Sequence, residues 1–239
     1  MPDKRPISDW VLFFLLASLW SSAYALNRLA VSTGAPEAGL PPVVVISARL
    51  TLAAILLIGV ALVSRQAWPA LSAWRSWLAM AVMGILGTAA PFLLITTAQK
   101  TVDSSLAALY VAATPLFVAV MAHAIFADDR MTARKVAGLV IGFTGVAVLF
   151  GPDAVAAFGS ASVVAQALCL FATCFYALST IVARIARGIP PFVFSASFVS
   201  FGAVATWPFL LNVDWAGLSP SLSALSGVTG LALGPPALA

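Results

Sequence analysis

Apolar residues run in long blocks along this chain, and polar residues collect in short intervals between them. A helix that crosses a bilayer needs about 20 apolar residues. The pattern predicts eight such segments, over residues 10–30, 42–63, 77–98, 104–126, 136–151, 160–183, 191–211, and from 220 to the last residue, 239. The fifth is the shortest. The intervals are turn chemistry rather than long linkers, as in Thr33-Gly34-Ala35-Pro36 and Gly151-Pro152-Asp153. The expected fold class is therefore an all-α integral membrane bundle.

The pattern also occurs twice. Leu16-Ala17-Ser18-Leu19-Trp20-Ser21-Ser22-Ala23-Tyr24-Ala25-Leu26 is echoed by Leu168-Cys169-Leu170-Phe171-Ala172-Thr173-Cys174-Phe175-Tyr176-Ala177-Leu178, an offset of 152 positions at Tyr-Ala-Leu. Pro-Pro pairs open the next segment of each copy, at Pro41-Pro42 and Pro190-Pro191, an offset of 149. Each copy reads as a five-helix unit, 1–152 and 153–239. An odd number of spans inverts the second copy in the membrane, the symmetry found in many secondary transporters. The second copy is short. Leu86-Gly87-Thr88-Ala89-Ala90-Pro91 aligns with Leu233-Gly234-Pro235-Pro236-Ala237-Leu238, and about 60 residues follow the first but not the second. The expectation is a ten-helix fold of which about eight spans are present, the last two being missing.

Composition supports the membrane reading. The 239 residues are 62% hydrophobic and 8% charged, whereas soluble domains carry about 25% charged residues. The net charge of +4 is spread along the chain, so nucleic acid is not an expected partner. The first apolar run is too long for a signal-peptide core and lacks a small-residue cleavage site.

Positive charges give an orientation. Lys4, Arg5, Arg65, Arg75, Arg130, Arg134, Lys135, Arg184 and Arg187 fall at one set of alternate segment ends, and Lys100 at the other. Acidic residues divide evenly. The positive-inside rule then puts the N-terminus and residues 127–135 in the cytoplasm.

Several polar or aromatic residues lie inside apolar segments. Trp20, Tyr24 and Asn27 are spaced to share one helix face. Cys169, Thr173, Tyr176 and Thr180 present the matching face of the sixth segment, with Ser179 opposite Asn27 by alignment. Polar groups in hydrocarbon face the bundle or a wet cavity. One reading is a small-molecule pocket; the other is helix–helix adhesion through hydrogen bonds. The paired faces as a set favour the pocket. Arg28 lies near a segment end and can snorkel outward. Arg49 is deeper, where a charge costs roughly 2.5–3.5 kcal/mol to insert. It could clamp a substrate carboxylate or bond helix-end carbonyls. The second copy has Phe198 there. Pro91 and Pro115 interrupt the third and fourth segments, as candidate kinks or hinges. Tyr110 and Thr114, just before Pro115, are a further candidate lining. Gly138, Gly142 and Gly145 suggest close helix packing. His123 and Gln166 read as structural polar residues, and Gln99 and Lys100 as solvated groups at the external mouth.

Other chemistries are not indicated. No Asp or Glu falls within a predicted segment, so these residues offer no buried carboxylate for proton coupling. One histidine and two cysteines on one segment do not make a metal site. There is no phosphate-binding glycine loop, and no cofactor is expected.

Trp20-Ser21-Ser22-Ala23-Tyr24, the run from Pro42 through Ala48-Arg49-Leu50, Ala112-Ala113-Thr114-Pro115-Leu116-Phe117, and Asp128-Asp129-Arg130-Met131-Thr132 followed by Gly138 and Gly142 together resemble EamA-type members of the drug/metabolite transporter superfamily. Ser21 stands where the family usually has Gly, and Asp128-Asp129 where it usually has Gly-Glu. The resemblance implies two inverted five-helix halves, cytoplasmic termini, a central cavity, and export of amino acids and other metabolites or import of related solutes. The expected protein is a carrier of the bacterial inner membrane, not an enzyme. Its partners would be a small-molecule substrate and the lipid bilayer, and it would act as a monomer when complete. Substrate would meet Trp20, Tyr24, Asn27, Arg49, Tyr110, Tyr176 and Ser179, with motion at Pro91 and Pro115. The alternative is a non-transporting truncated bundle with a structural or interaction role. A membrane enzyme acting on lipid-linked groups would need an interfacial polar cluster that the sequence lacks.

Overall fold

A computed structural model describes residues 7–31, 39–127, 130–160, 162–185 and 188–233. Asp3, Lys4, Arg5, the turn at 33–36, Glu37, Asp128, Asp129, Arg187 and the echo at 234–238 lie outside the described residues.

Every regular element among the described residues is helical. Hydrocarbon offers no partner for backbone N–H and C=O groups, so an apolar run must satisfy them internally. The first helix, α1, is Ile7–Val31, and α2 is Pro42–Val63. A long third segment comprises α3 (Trp74–Gly84), a widened π turn (Ile85–Ala89) and α4 (Ala90–Ala98). The fourth is divided into α5 (Ser104–Ala112) and α6 (Thr114–Ile125). Then come α7 (Ala133–Ser160), α8 (Val163–Ile185) and α9 (Pro191–Thr206), which tightens into a 3-10 turn at Trp207–Asn212. The last described helix is α10, Leu222–Leu233. Among the described residues six stretches are long and apolar enough to cross a membrane: Ile7–Val31, Pro42–Val63, Trp74–Ala98, Ser104–Ile125, Val163–Arg184 and Pro191–Asn212.

The prolines act where the sequence puts them. Pro42 and Pro191 each occupy the first turn of a helix, where a missing N–H costs nothing. Gln66, just past α2, takes up the orphan donors of α9: its Oε1 accepts from Phe192 N at 3.0 Å and Val193 N at 3.4 Å. Pro115 divides the fourth segment. It cannot donate to the Val111 carbonyl, and the Thr114 hydroxyl does so instead at 2.6 Å. The π turn ends just before Pro91, whose own missing donor falls opposite Gly87 in that turn.

One boundary departs well beyond a few residues from the sequence reading. The fifth segment, expected to stop at Gly151, continues as helix to Ser160. Gly151-Pro152-Asp153 was read as a turn, but a proline in an apolar helix gives up one hydrogen bond without ending it. The seventh segment, expected over 191–211, matches the stretch Pro191–Asn212 to within a residue, its last part tightening from α9 into the 3-10 turn at Trp207.

Helix contacts follow a reciprocal plan. The first segment (α1) packs on the eighth (α10), and the third (α3, α4) packs on the sixth (α8). The second (α2) and seventh (α9) pack on each other. Exchanging the two sequence copies maps this set of pairs onto itself, as a pseudo-twofold requires. Small residues set the closest crossings. At Gly84 a Cβ would collide with the Phe198 carbonyl of α9 and lie 2.7 Å from Gly202 N. At Gly227 of α10 it would lie 2.8 Å from the Leu26 carbonyl of α1. The glycines proposed for close packing from sequence are different ones. Gly138, Gly142 and Gly145 have nothing within 4 Å of a Cβ position among the described residues. Spacing alone shows a small-residue stripe, not whether a helix lies against it.

Candidate functional site

A cavity of 480 Å³ opens between these helices. Its wall is drawn from α1, α2, the third segment, α5, α6, α8 and α9. Trp20, Tyr24, Asn27, Arg49, Tyr176 and Ser179, singled out from sequence, all line it, as does Thr114. Residues as far as 179 positions apart, Trp20 and Val199, thus meet in one chamber. The two echoed faces both contribute to it, Tyr24 and Tyr176 occupying equivalent places in the two copies.

The fit differs from residue to residue. Trp20 is 54% exposed, so it forms the rim. Asn27 and Arg49 are each 5% exposed and form the wall. The Arg49 guanidinium lies 4.1 Å from the centroid of the Phe92 ring, a cation–π distance. Phe92 in turn meets Tyr176 edge-on, with centroids 6.3 Å apart. Phe198, the counterpart of Arg49 in the second copy, lines the same chamber. Gly87 does too: a Cβ there would come within 3.3 Å of Ser179 Cβ, so glycine brings the π turn close to α8.

Three candidates stand elsewhere. Tyr110 is not in the lining. Its hydroxyl donates to Gln166 Oε1 at 2.6 Å, and its carbonyl accepts from Thr173 Oγ1 at 3.1 Å. It ties α5 to α8 behind the cavity wall. The sequence places Tyr110 near Thr114, but the break at Pro115 turns the two residues to different surroundings. Pro91 is buried behind the lining residue Phe92. Pro115 lines a neighbouring cavity of 660 Å³, with Lys135, Gly138 and Met131 among its walls. Thr114 and Thr180 belong to both cavities, so these two side chains stand at the junction.

The opposite end, beside Lys100, is tied by a polar network. Gln99 is fully buried, not solvated as its position at a segment end suggested. Its Nε2 donates to the Tyr24 carbonyl at 3.0 Å and to Ser104 Oγ at 3.3 Å. Ser104 Oγ donates to the same carbonyl at 3.0 Å. Arg28 donates to the Gln99 carbonyl and pairs with Asp103 at 3.5 Å. Sequence reasoning missed this cluster because each member sits at a helix end, where a polar residue needs no special reason. His123 pins the turn before α7: its Nδ1 accepts from Met131 N at 3.0 Å. Among the described residues no three metal-ligating side chains cluster.

Comparisons with known proteins agree with this architecture. A solved crystal structure with 19% sequence identity superposes at a TM-score of 0.64, covering 95% of this chain and 75% of that one. That likeness establishes the fold. A protein of Archaeoglobus fulgidus described as an uncharacterized transporter is 22% identical over 204 residues, spanning 85% of this chain and 68% of its own length. The model of the EamA-like transporter family matches residues 8–151, which include Trp20, Tyr24, Asn27, Arg49 and Phe92 of the cavity. A multi-pass helical bundle around an interior chamber is thus joined to a family match over more than half the chain, and the protein belongs to the EamA-like transporter family.

Proposed function

We infer that this protein is a secondary carrier that exports small metabolites, amino acids foremost, across the bacterial inner membrane. The observation that carries this reading is the 480 Å³ cavity, a size suited to a small ligand, walled by equivalent faces of α1 and α8. Trp20, Tyr24, Asn27, Arg49, Tyr176 and Ser179 are its substrate-lining residues, with Tyr110 bracing the wall through α8. Transport proceeds by alternating access between two inverted halves, 1–152 and 153–239 of this sequence, with Pro91 and Pro115 as hinges. The N-terminus is cytoplasmic, since positive charges gather at that set of segment ends. Substrate then enters past Thr114 and Thr180, from the end where Lys135 lies. The Arg28–Gln99–Ser104 network closes the outer end. Carriage of this kind is binding and release, not catalysis.

The test is efflux of labelled amino acids from proteoliposomes containing the intact protein. Saturable, protein-dependent flux that falls in Tyr24→Ala and Trp20→Ala supports the reading. Flux unchanged by both substitutions would remove this cavity as the path. No flux for any amino acid would leave the non-transporting bundle as the better account.

A further inference from the structure

The cavity holds one formal charge. Of its lining residues only Arg49 is ionised at neutral pH, and none is acidic. Arg49 is 95% removed from solvent, and its Nε has no hydrogen-bond partner. Among the described residues it makes no hydrogen bond and no ion pair. The helix-end carbonyls that could have held it do not. A buried guanidinium is costly unless an anion or acceptor meets it, and a ring face is only part of what it requires. A second orphan belongs to a residue of the same lining. Asn27 is equally buried, and its Oδ1 has no donor.

Four of the cavity's hydroxyls are already engaged. The hydroxyls of Thr88, Thr114, Ser179 and Thr180 each donate to a carbonyl of the preceding turn, at Gly84, Val111, Tyr176 and Tyr176. Their protons are committed. Beside the hydroxyls of Tyr24, Tyr176 and Ser195, Arg49 is the one cationic donor of the lining and Asn27 Oδ1 an unmet acceptor. The remaining wall is largely apolar, with Leu57, Met83, Phe92, Ile95, Phe198 and Val199.

We propose that Arg49 and Asn27 are the specificity-determining pair of a zwitterion site. Arg49 takes a carboxylate, Asn27 Oδ1 takes the neighbouring ammonium, and an apolar side chain lies against the aromatic and aliphatic wall. This rests on the reading of the cavity as the substrate site, and it narrows the substrate class. Dicarboxylates find no second cation, and a cationic side chain would share the chamber with Arg49. Monocarboxylic amino acids with apolar side chains meet both orphans at once.

The experiment is a binding series on the intact protein in nanodiscs, read by tryptophan fluorescence. The probes are phenylalanine, phenylalaninamide, which lacks the carboxylate, and 3-phenylpropionate, which lacks the ammonium. Wild type should bind phenylalanine more tightly than either analogue by about tenfold or more, as expected for hydrogen bonds to charged groups. Arg49→Gln should erase the preference over the amide, and Asn27→Leu the preference over 3-phenylpropionate. Arg49→Lys should retain part of the first. Three probes that bind wild type alike, or no phenylalanine binding at millimolar concentration, overturn the proposal. So does an Arg49→Gln protein that weakens all three by one factor, which is what a structural arginine would do. The wild-type series decides even if the variants fail to fold. Phenylalanine flux in proteoliposomes, run in parallel, separates the two readings. Flux equally inhibited by amide and acid sinks the zwitterion site but keeps the carrier. Selective binding without flux does the reverse.

Discussion

The Arg49 guanidinium lies over the face of Phe92, 4.1 Å from its centroid, and the two come from different helices, α2 and α4. Phe92 follows Pro91 directly, and Pro91 follows the π turn. The irregular backbone of the third segment thus sets the ring on which the cavity's cation rests. A desolvated cation–π pair is worth about 2 kcal/mol, less than the several kcal/mol that burying an ion costs.

That imbalance gives the first prediction. Arg49→Met keeps the length and apolar stem of the side chain and removes the charge. The unliganded protein should unfold at a temperature no lower than wild type, and Phe92→Leu should cost less in the Arg49→Met background than alone. The difference should be about 0.5–2 kcal/mol. Thermal unfolding of the four proteins in one detergent measures it. A marked destabilisation by Arg49→Met alone would show that the guanidinium is held by partners that its surroundings do not reveal.

The crossing of α3 and α9 gives the second. Gly84→Ala puts a methyl against the Phe198 carbonyl and the Gly202 amide, both of them backbone. Backbone cannot rotate away, so the helices must separate, at a cost of about 1–3 kcal/mol. Gly142→Ala meets nothing within 4 Å among the described residues and should be neutral or slightly stabilising, since alanine is the better helix former. Equal melting temperatures for the two variants would contradict the crossing.

The third concerns Tyr110 and Gln166, joined by a 2.6 Å hydrogen bond between α5 and α8. Hydrogen bonds between helices in membranes average about 0.6 kcal/mol and reach about 1.7. Tyr110→Phe should destabilise within that range, and Gln166→Leu added to it should cost less than Gln166→Leu alone. Strict additivity in the four-protein cycle would mean that the bond contributes nothing.

Much of this architecture can be read in the chain because bilayer thickness fixes segment length and hydrocarbon fixes helix. The ends 42 and 63 of the second segment agree between sequence and structure, since Pro42 can begin a helix and Ser64-Arg65-Gln66 is polar. Family membership was legible in motif order. The faces bearing Tyr24 and Tyr176 were legible through their repetition. What failed was rotation and partnership. Tyr110 and Tyr24 look alike in sequence, and only the packing of their helices shows that one reaches Gln166 and the other lines the cavity. The π turn has no residue signature of its own. Gly84 meets Gly202 across 118 positions of chain, while Gly138, Gly142 and Gly145 show the more regular stripe and, among the described residues, nothing within 4 Å of a Cβ position. Gln99 occupies a helix end where solvation is the default, and its burial depends on the last turns of α1 and the start of α5 meeting there.

Those segment ends carry the last prediction. Two interactions lie side by side beyond Tyr24, and they differ in exposure. The Arg28–Asp103 pair is open, with Asp103 82% exposed, so Asp103→Asn should change stability by less than about 1 kcal/mol, and less still in high salt. Gln99 is fully buried, and its amide reaches the Tyr24 carbonyl. Gln99→Leu leaves that buried acceptor to Ser104 alone and fills amide space with methyl groups, for a loss of about 1–3 kcal/mol. Ser104→Ala should sensitise the protein to Gln99→Leu, since together they strip the carbonyl of both side-chain donors. Denaturation in detergent at low and high salt separates the cases. If Asp103→Asn proved the costlier change, the surface ion pair rather than the buried amide would be what holds this end of the bundle shut.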